Sequence, residues 1–433
     1  MGHMVTTSLT QNQVLPLSQM AETLQGSEII KLAGEINDKI KQGKKIFNFT
    51  IGDFDPQIFP IPIELENEII LAYKNGETNY PPANGIQLLR ENIAAFITKY
   101  QGLNYSPNDF LIAGGARPLI FAAYLTILDK GEKVIFPVPS WNNNHYTHLS
   151  NAQQIIVEAR PDNNFMPTAK DIKKHLKSAN LLALCSPLNP TGTTFTKEGL
   201  LEICEMVLEE NLSRPPGKKP LYLLYDQIYW ALTYGKTIHY NPVSLVPEIK
   251  PYTIFIDGLS KAFAATGVRV GWAFGPSDII EKMKSILGHV GAWAPKAEQV
   301  ATANYLSNQQ QAYEFIEKLK SALSKRLYAF YEGFTKLKEE GFPVDVIEPQ
   351  AALYLTLKID LIGLTKPDGE LIENTEEATQ YILNSANVAI VPFYAFGASK
   401  ESTWYRLSVG TCKVEDIDIV INSIRKSLKQ LSK

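Results

Sequence analysis

The residues best able to do chemistry in this 433-residue chain stand just beyond short apolar runs. Lys261 lies among small residues in LSKAFAATGVRVGW, residues 259–272, with Arg269 eight positions later. An amine in such a place loses hydration, which disfavours its charged form and lowers its pKa. Covalent or proton-transfer chemistry is one reason to accept that cost. GGARP places Gly115, Ala116 and Arg117 after the run DFLIA. Glycines there let a ligand approach the backbone, and a helix starting near Arg117 would offer free N–H groups to an anion. Pro118 suits the first turn of that helix. Ser140-Trp141-Asn142 follows KVIFPVP with a broad aromatic face, Asn189 sits in SPLNPTG after LLALC, and Asp226 follows LYLLY with Tyr229 three residues on. Each alone has an ordinary explanation as a turn, a helix cap or core.

The elements that must carry these groups give the combination its force. Seven short runs, DFLIAGG, KVIFPVP, QQIIVEA, LLALCSP, LYLLYD, YTIFIDG and RVGWAFG, read as near-continuous apolar strands. Segments such as RPLIFAAYLTIL and KEGLLEICEMVLEE read as helices between them. That alternation predicts an α/β unit with a mostly parallel sheet covered on both faces. Ligands of such sheets bind beyond the carboxyl ends of the strands. An anion cup, a stacking face, a carboxylate, a phenol, an amide and an amine gathered at that edge are the groups needed to hold pyridoxal phosphate.

Around this centre, residues 27–44 read as a helix and FNFTIGDFDP as a short strand running into a turn. After Trp293 come long helical stretches to about Gly341, then AALYLTLKI and RLSVG as strands of a smaller α+β unit, closed by a helix from Val414 to about Leu431. The expected division is residues 1–55 as a segment belonging to the small domain, 56–325 as the large domain and 326–433 as the small domain. NLSRPPGKKP, residues 211–220, reads as an exposed loop.

Composition narrows the function classes. Charged residues are 20% and the net charge is −3, so no basic field to gather nucleic acid is present. Cys185, Cys204 and Cys412 are too few and scattered for a disulfide framework or a zinc site, which suits a reducing compartment. MGHMVTTSLTQNQ has the form of no secretory signal, and Met1 to His3 read as an expression scar before a natural start at Met4. No apolar stretch approaches the roughly 18 residues of a membrane span. A cytoplasmic protein is expected.

SPLNPTG, YDQIY and SKAFAATGVRVGW, in this order, resemble the class I/II aminotransferases of pyridoxal-phosphate-dependent fold type I, the aspartate aminotransferase superfamily. The resemblance runs from about Phe47 to the carboxyl terminus. It implies a mostly parallel, mixed seven-stranded sheet between helices with a smaller α+β domain. It also implies a ping-pong transfer of an amino group from an aspartate-like or aromatic L-amino acid to a 2-oxo acid such as 2-oxoglutarate. By the same resemblance, Lys261 forms the Schiff base with the cofactor and moves the substrate proton, Asp226 faces the pyridine nitrogen, and Tyr229 and Asn189 bond the ring hydroxyl oxygen. Trp141 stacks on the ring, while Gly115, Ala116, Ser260 and Arg269 hold the phosphate. Arg406, in YRLSVG, clamps the substrate α-carboxylate with help from Gly52, in TIGDFDP. Tyr80, in NYPPANG, reaches the phosphate in a neighbouring subunit, which implies a homodimer with shared sites.

The sequence also departs from the family's pattern. Gly258 stands where some subfamilies keep a phosphate-binding serine, and Arg117 where glycine or glutamine is expected. Arg117 is left with three roles: a phosphate contact, a contact to a substrate side-chain carboxylate, or solvation. GAWAPKAEQ, residues 291–299, replaces a pocket-lining segment, so Trp293 either shapes specificity or packs in the core. Asn144 takes the place of a histidine some relatives keep behind the aspartate, with His145 one position off. A pyridoxal-phosphate-dependent carbon–sulfur lyase is the alternative with the same residues. A non-catalytic cofactor-binding regulator is the alternative of another class; such relatives carry an added helix-turn-helix domain that the short polar amino terminus is not expected to hold.

Overall fold

The structure, a computed structural model, describes residues 16–433 apart from residues 25 and 27, and of Ile30 the backbone only. The readings of Met1 to His3 and of the signal-free terminus, the first fifteen residues of the segment 1–55, and Ser27 as a helix start therefore lie outside the described residues. The first long helix is described from Glu28 to Lys41.

The strands in chain order are β1 (Phe47–Asn48), β2 (Phe110–Ala113), β3 (Lys133–Val138), β4 (Gln153–Glu158), β5 (Leu181–Cys185), β6 (Tyr222–Asp226), β7 (Thr253–Gly258), β8 (Gly271–Phe274), β9 (Val344–Val346), β10 (Tyr354–Ile359), β11 (Val388–Ala389), β12 (Val391–Pro392) and β13 (Trp404–Ser408). All seven apolar runs join one sheet, ordered β2-β8-β7-β6-β5-β3-β4. Neighbours are parallel except at β8, which is antiparallel to both β2 and β7. Side chains of these strands alternate between two cores, because successive residues of a strand point to opposite faces. Ile112, Ile135, Leu182, Leu223 and Phe255 face one, while Leu111, Val134, Leu181, Leu224 and Ile254 face the other. The helices Gln87–Gln101 and Lys197–Ser213 cover the first face and Ala116–Ile127 the second. On the first face Phe255 stacks on Phe274 with ring centroids 4.7 Å apart, and truncating either ring to alanine costs about 3–5 kcal/mol.

A separate core forms around the antiparallel sheet β12-β13-β10-β9. The 31-residue helix Gln309–Glu339 runs through both regions: Ala312 and Ile316 pack in the core beneath the large sheet, and Leu319 onward pack in the other. β1 pairs with β11, and the Ser408 N–H donates to the Phe49 carbonyl at 2.9 Å. These bonds pin the segment after β1 to the smaller sheet, so it passes over the edge of the large one. Among the described residues no helix is long and apolar enough to cross a membrane.

Candidate active site

The topology brings the singled-out residues to one edge. β3, β5, β6 and β7 are parallel, and β2 shares their direction because it opposes β8, which opposes β7. Their carboxyl ends therefore deliver Trp141, Asn189, Asp226, Lys261 and Gly115 to the same side. β8 runs the other way, so Arg269, just before its first residue Gly271, arrives there too. Gly52 follows β1 and Arg406 lies within β13, both from the smaller core. Trp141, Asn189, Asp226, Lys261, Arg269, Gly52 and Arg406 border one cleft of about 590 Å³.

Lys261 stands just beyond β7 and not within it. β7 stops at Gly258, and a short helical turn, Leu259–Ala262, carries the lysine beyond it. Nζ donates to the Gly52 carbonyl at 2.8 Å. Burial lowers its pKa to about 8; Arg406, Arg117 and Arg269 push the same way, and Asp53 opposes them. The small residues that follow divide their roles: Ala262, Phe263 and Ala265 enter the core, whereas Thr266 and Gly267 line the cleft. Asp226 is shifted oppositely. Burial raises its pKa to about 6, against the Ile228 N–H that donates to Oδ1 at 3.0 Å. An amine and a carboxylate whose pKa values are both drawn toward neutrality share one cleft, the pairing that acid–base chemistry near neutral pH needs.

Gly115 precedes the helix Ala116–Ile127 with φ 97°, a left-handed value that glycine adopts freely. Space also demands glycine, because a Cβ there would fall 2.2 Å from Arg269 Nη2. A Cβ on Gly271 would meet the Gly115 carbonyl carbon at 2.5 Å, and one on Gly258 would meet the Gly271 Cα at 2.9 Å. Close backbone packing accounts for the glycine at 258, where some relatives have serine. Arg269 is fixed by donating from Nη1 to the Thr266 carbonyl at 2.7 Å and from Nη2 to the Gly114 carbonyl at 2.8 Å. Ala116 and the nearly buried Ser260 border the same corner. A helix start, a guanidinium and a hydroxyl form a cradle for a phosphate.

Arg406 is buried against two rings, its Cζ 4.7 Å from the Tyr354 centroid and 4.9 Å from that of Phe396. Nη1 donates to Asn189 Oδ1 at 3.0 Å and Nη2 to the Thr50 carbonyl at 2.6 Å, while Nε is a buried donor with no partner. An unpaired buried donor costs about 1–3 kcal/mol, which an arriving carboxylate would relieve. Gly52 has no room for a side chain, since a Cβ would lie 2.8 Å from the Tyr354 hydroxyl. That hydroxyl is 2.7 Å from the Tyr229 hydroxyl, and burial raises the Tyr229 pKa.

Trp141 and Arg117 also line the cleft, with the Arg117 guanidinium 5.3 Å over the indole. Tyr80 is not brought in: it is 81% exposed and packs edge-on against Trp293 at 5.3 Å. Asn144 and His145 face an adjoining cleft, and it is Tyr146 that reaches the main one. Tyr354, Thr50, Thr266 and Phe396 were missed. Tyr354 was read as an ordinary strand residue in AALYLTLKI, and Thr50 acts through its carbonyl, which leaves no mark on residue type.

The donor set fits pyridoxal phosphate. The cradle suits the phosphate, the indole suits the ring, and the buried carboxylate, which makes no ion pair among the described residues, suits a protonated pyridine nitrogen. The sequence model of aminotransferase class I and II matches residues 44–424. An aspartate aminotransferase of Bacillus sp. (strain YM-2) is 28% identical over 384 residues, 88% of this chain and 92% of that one. An aspartate aminotransferase of Geobacillus stearothermophilus is 27% identical over 96% of this chain and 99% of its own. The solved Thermus thermophilus aspartate aminotransferase with maleate superimposes with a TM-score of 0.83 and 26% identity, covering 96% of this chain and all of that one. With the family's sequence pattern running through nearly the whole chain and its fold reproduced, the protein belongs to the class I and II aminotransferases, which are pyridoxal-phosphate-dependent.

Proposed function

We propose that this aminotransferase takes an acidic L-amino acid as donor and a 2-oxo acid such as 2-oxoglutarate as acceptor, with Arg117 receiving the side-chain carboxylate. The observation that carries the reading is the third guanidinium in the cleft. Arg269 and Arg406 are each held by two oxygen acceptors, whereas Arg117 lies over the Trp141 ring. Arg269 suits the cofactor phosphate and Arg406 the α-carboxylate, which leaves Arg117 for a second carboxylate. Two relatives named aspartate aminotransferase support the same class of donor. Aromatic donors are the second reading, favoured by the walls that Trp141 and Tyr354 provide.

When bound, the cofactor withdraws the electron pair left at the substrate Cα as its proton departs. The chain's own residues do the rest. Lys261, with its lowered pKa, takes and returns that proton through Nζ. Asp226 keeps the pyridine nitrogen protonated. Asn189 and Tyr229 hold the ring hydroxyl oxygen, and Gly115, Ala116, Ser260 and Arg269 hold the phosphate. Arg406, with the Gly52 backbone beside it, orients the donor so that its Cα–H faces Lys261.

We also read the protein as a cytoplasmic homodimer divided into residues 1–55 and 326–433 as one domain and 56–325 as the other. The change of core partners within the helix Gln309–Glu339, between Ile316 and Leu319, supports a boundary inside that helix, ahead of residue 325. The dimer is supported by Ile63, Ile70, Leu71 and Tyr73, exposed on one helix, and by the exposed Tyr80. Tyr80 would then serve the partner's phosphate, and three free cysteines suit the cytoplasm. The substrate test is a panel of half-reactions in which cofactor-loaded protein meets single amino acids and the visible spectrum and released 2-oxo acid are followed. Aspartate or glutamate should react fastest. A faster aromatic donor would replace the acidic reading, and pyruvate with ammonia from a cysteine conjugate, without any acceptor, would point to a lyase.

A further inference from the structure

We propose that Phe396 is a positioning residue for substrate-carboxylate binding, fixing the plane of Arg406 and tying that plane to the wall that carries Trp141. The inference rests on the reading of Arg406 as the α-carboxylate site. Phe396 lies on a short turn, Phe393–Phe396, that ends at Gly397 with φ 85°. Its ring is buried, 4.9 Å from the Arg406 Cζ and 6.2 Å from the Trp141 ring. Its carbonyl accepts the Ser140 N–H at 2.9 Å, which bonds the turn to the segment that carries Trp141. Tyr354 contacts the same guanidinium at 4.7 Å.

A guanidinium packed against two rings has less freedom to roll about its long axis, and its N–H groups meet a ligand in its own plane. Asn189 and Thr50 accept from two of those in-plane donors, and Nε, in the same guanidinium plane, has no partner among the described residues. Tyr354 is itself fixed through Tyr229, whereas Phe396 has no polar side-chain atom and acts through its face alone. A flexible aliphatic chain in its place would leave the charge but free the plane. Since both half-reactions bind a carboxylate at Arg406, the donor and the acceptor should suffer equally.

The test compares Phe396→Leu, Phe396→Tyr and Arg406→Lys in the cofactor-loaded enzyme. KM and kcat are measured for donor and acceptor separately, with the dissociation constant of pyridoxal phosphate and of maleate as an unreactive carboxylate probe. Phe396→Leu should raise both KM values and the maleate constant by about ten-fold with kcat changed far less, because a desolvated cation–ring contact is of that strength. Phe396→Tyr should restore them. Combining Phe396→Leu with Arg406→Lys should add little to the Arg406 effect, since both act at one group. Unchanged KM values in Phe396→Leu, or a loss confined to kcat and cofactor affinity, would overturn the positioning role. Should Phe396→Leu fail to fold, Phe396→Met gives the same comparison with a side chain of similar volume. If Arg406→Lys leaves KM unchanged, the Arg406 reading itself fails; if it raises KM while Phe396→Leu does not, only the present inference fails.

Discussion

Lys261 Nζ donates to the carbonyl of Gly52 at 2.8 Å, so a turn following the large sheet is tied to a segment pinned to the small one. The bond places the amine in the seam between the two cores and holds it there without a carboxylate partner. Burial can then lower the pKa, because a backbone carbonyl compensates the charge far less than an ion pair would.

Replacing that amine should therefore remove chemistry and leave binding. Lys261→Ala is expected to lower turnover by at least about ten-thousand-fold, since both nucleophile and proton carrier are lost. Pyridoxal phosphate should still bind noncovalently through the Arg269 cradle, as equilibrium dialysis would show. In the wild type, the rate of cofactor capture by the apoprotein should climb with pH and level off above about 8, because only the neutral amine attacks. A rate still climbing beyond pH 10 would mean that the lysine is not desolvated.

Asp226→Asn should make the apoprotein more stable and the enzyme far less active. The folded pKa of about 6 exceeds the ordinary value of 3.8, so between those pH values the folded chain keeps a proton that the unfolded chain loses. Stability falls as pH rises through that window and stays lower above it, by about 3 kcal/mol. Asparagine removes the penalty, so the melting temperature of the variant should exceed that of the wild type at pH 7 and match it below pH 4. Turnover should drop on the order of a thousand-fold as the pyridine nitrogen loses its charged partner. Equal melting temperatures at pH 7 would show that Asp226 is not buried as an ion.

Arg117→Gln separates the acidic from the aromatic reading. The KM for aspartate or glutamate should rise roughly ten- to hundred-fold, the value of a charge-assisted contact, while that for an aromatic donor stays within about three-fold. A uniform loss across donors, together with weaker cofactor binding, would assign Arg117 to the phosphate instead.

The sheet was legible because each strand is a short apolar run ending in turn residues, a pattern that local physics writes into the chain. Lys261, Asp226 and Arg269 stood out for a related reason: a charged or hydrogen-bonding group at the end of an apolar run is rare unless it has work to do. What could not be read was set by contacts between distant segments. The packing of Tyr354 and Phe396 against Arg406 uses residues whose types look like ordinary core, and the helical turn that carries Lys261 is too short to leave a periodicity. Gly258 was noted as a departure from relatives, but its reason, the approach of Gly271 to within van der Waals distance, appears only when β7 and β8 are paired.

Tyr80 offers a test of the shared site. It is exposed, stands outside the cleft of its own chain, and packs against Trp293 in a loop that Lys296 braces with an ion pair to Glu77 at 2.8 Å. In the proposed homodimer a residue so placed would serve the partner's active site. Lys261→Ala homodimers should be inactive and Tyr80→Ala homodimers weak, through poorer phosphate binding. Unfolding the two variants together and refolding the mixture should restore about a quarter of wild-type activity, because half of randomly paired dimers are mixed and each mixed dimer contains one site with both residues intact. The regained activity should bind cofactor with wild-type affinity in a dialysis assay. Activity no greater than the average of the separate variants, from a mixture shown by mass to contain mixed dimers, would confine Tyr80 to its own chain and leave Trp293 as its partner for packing alone.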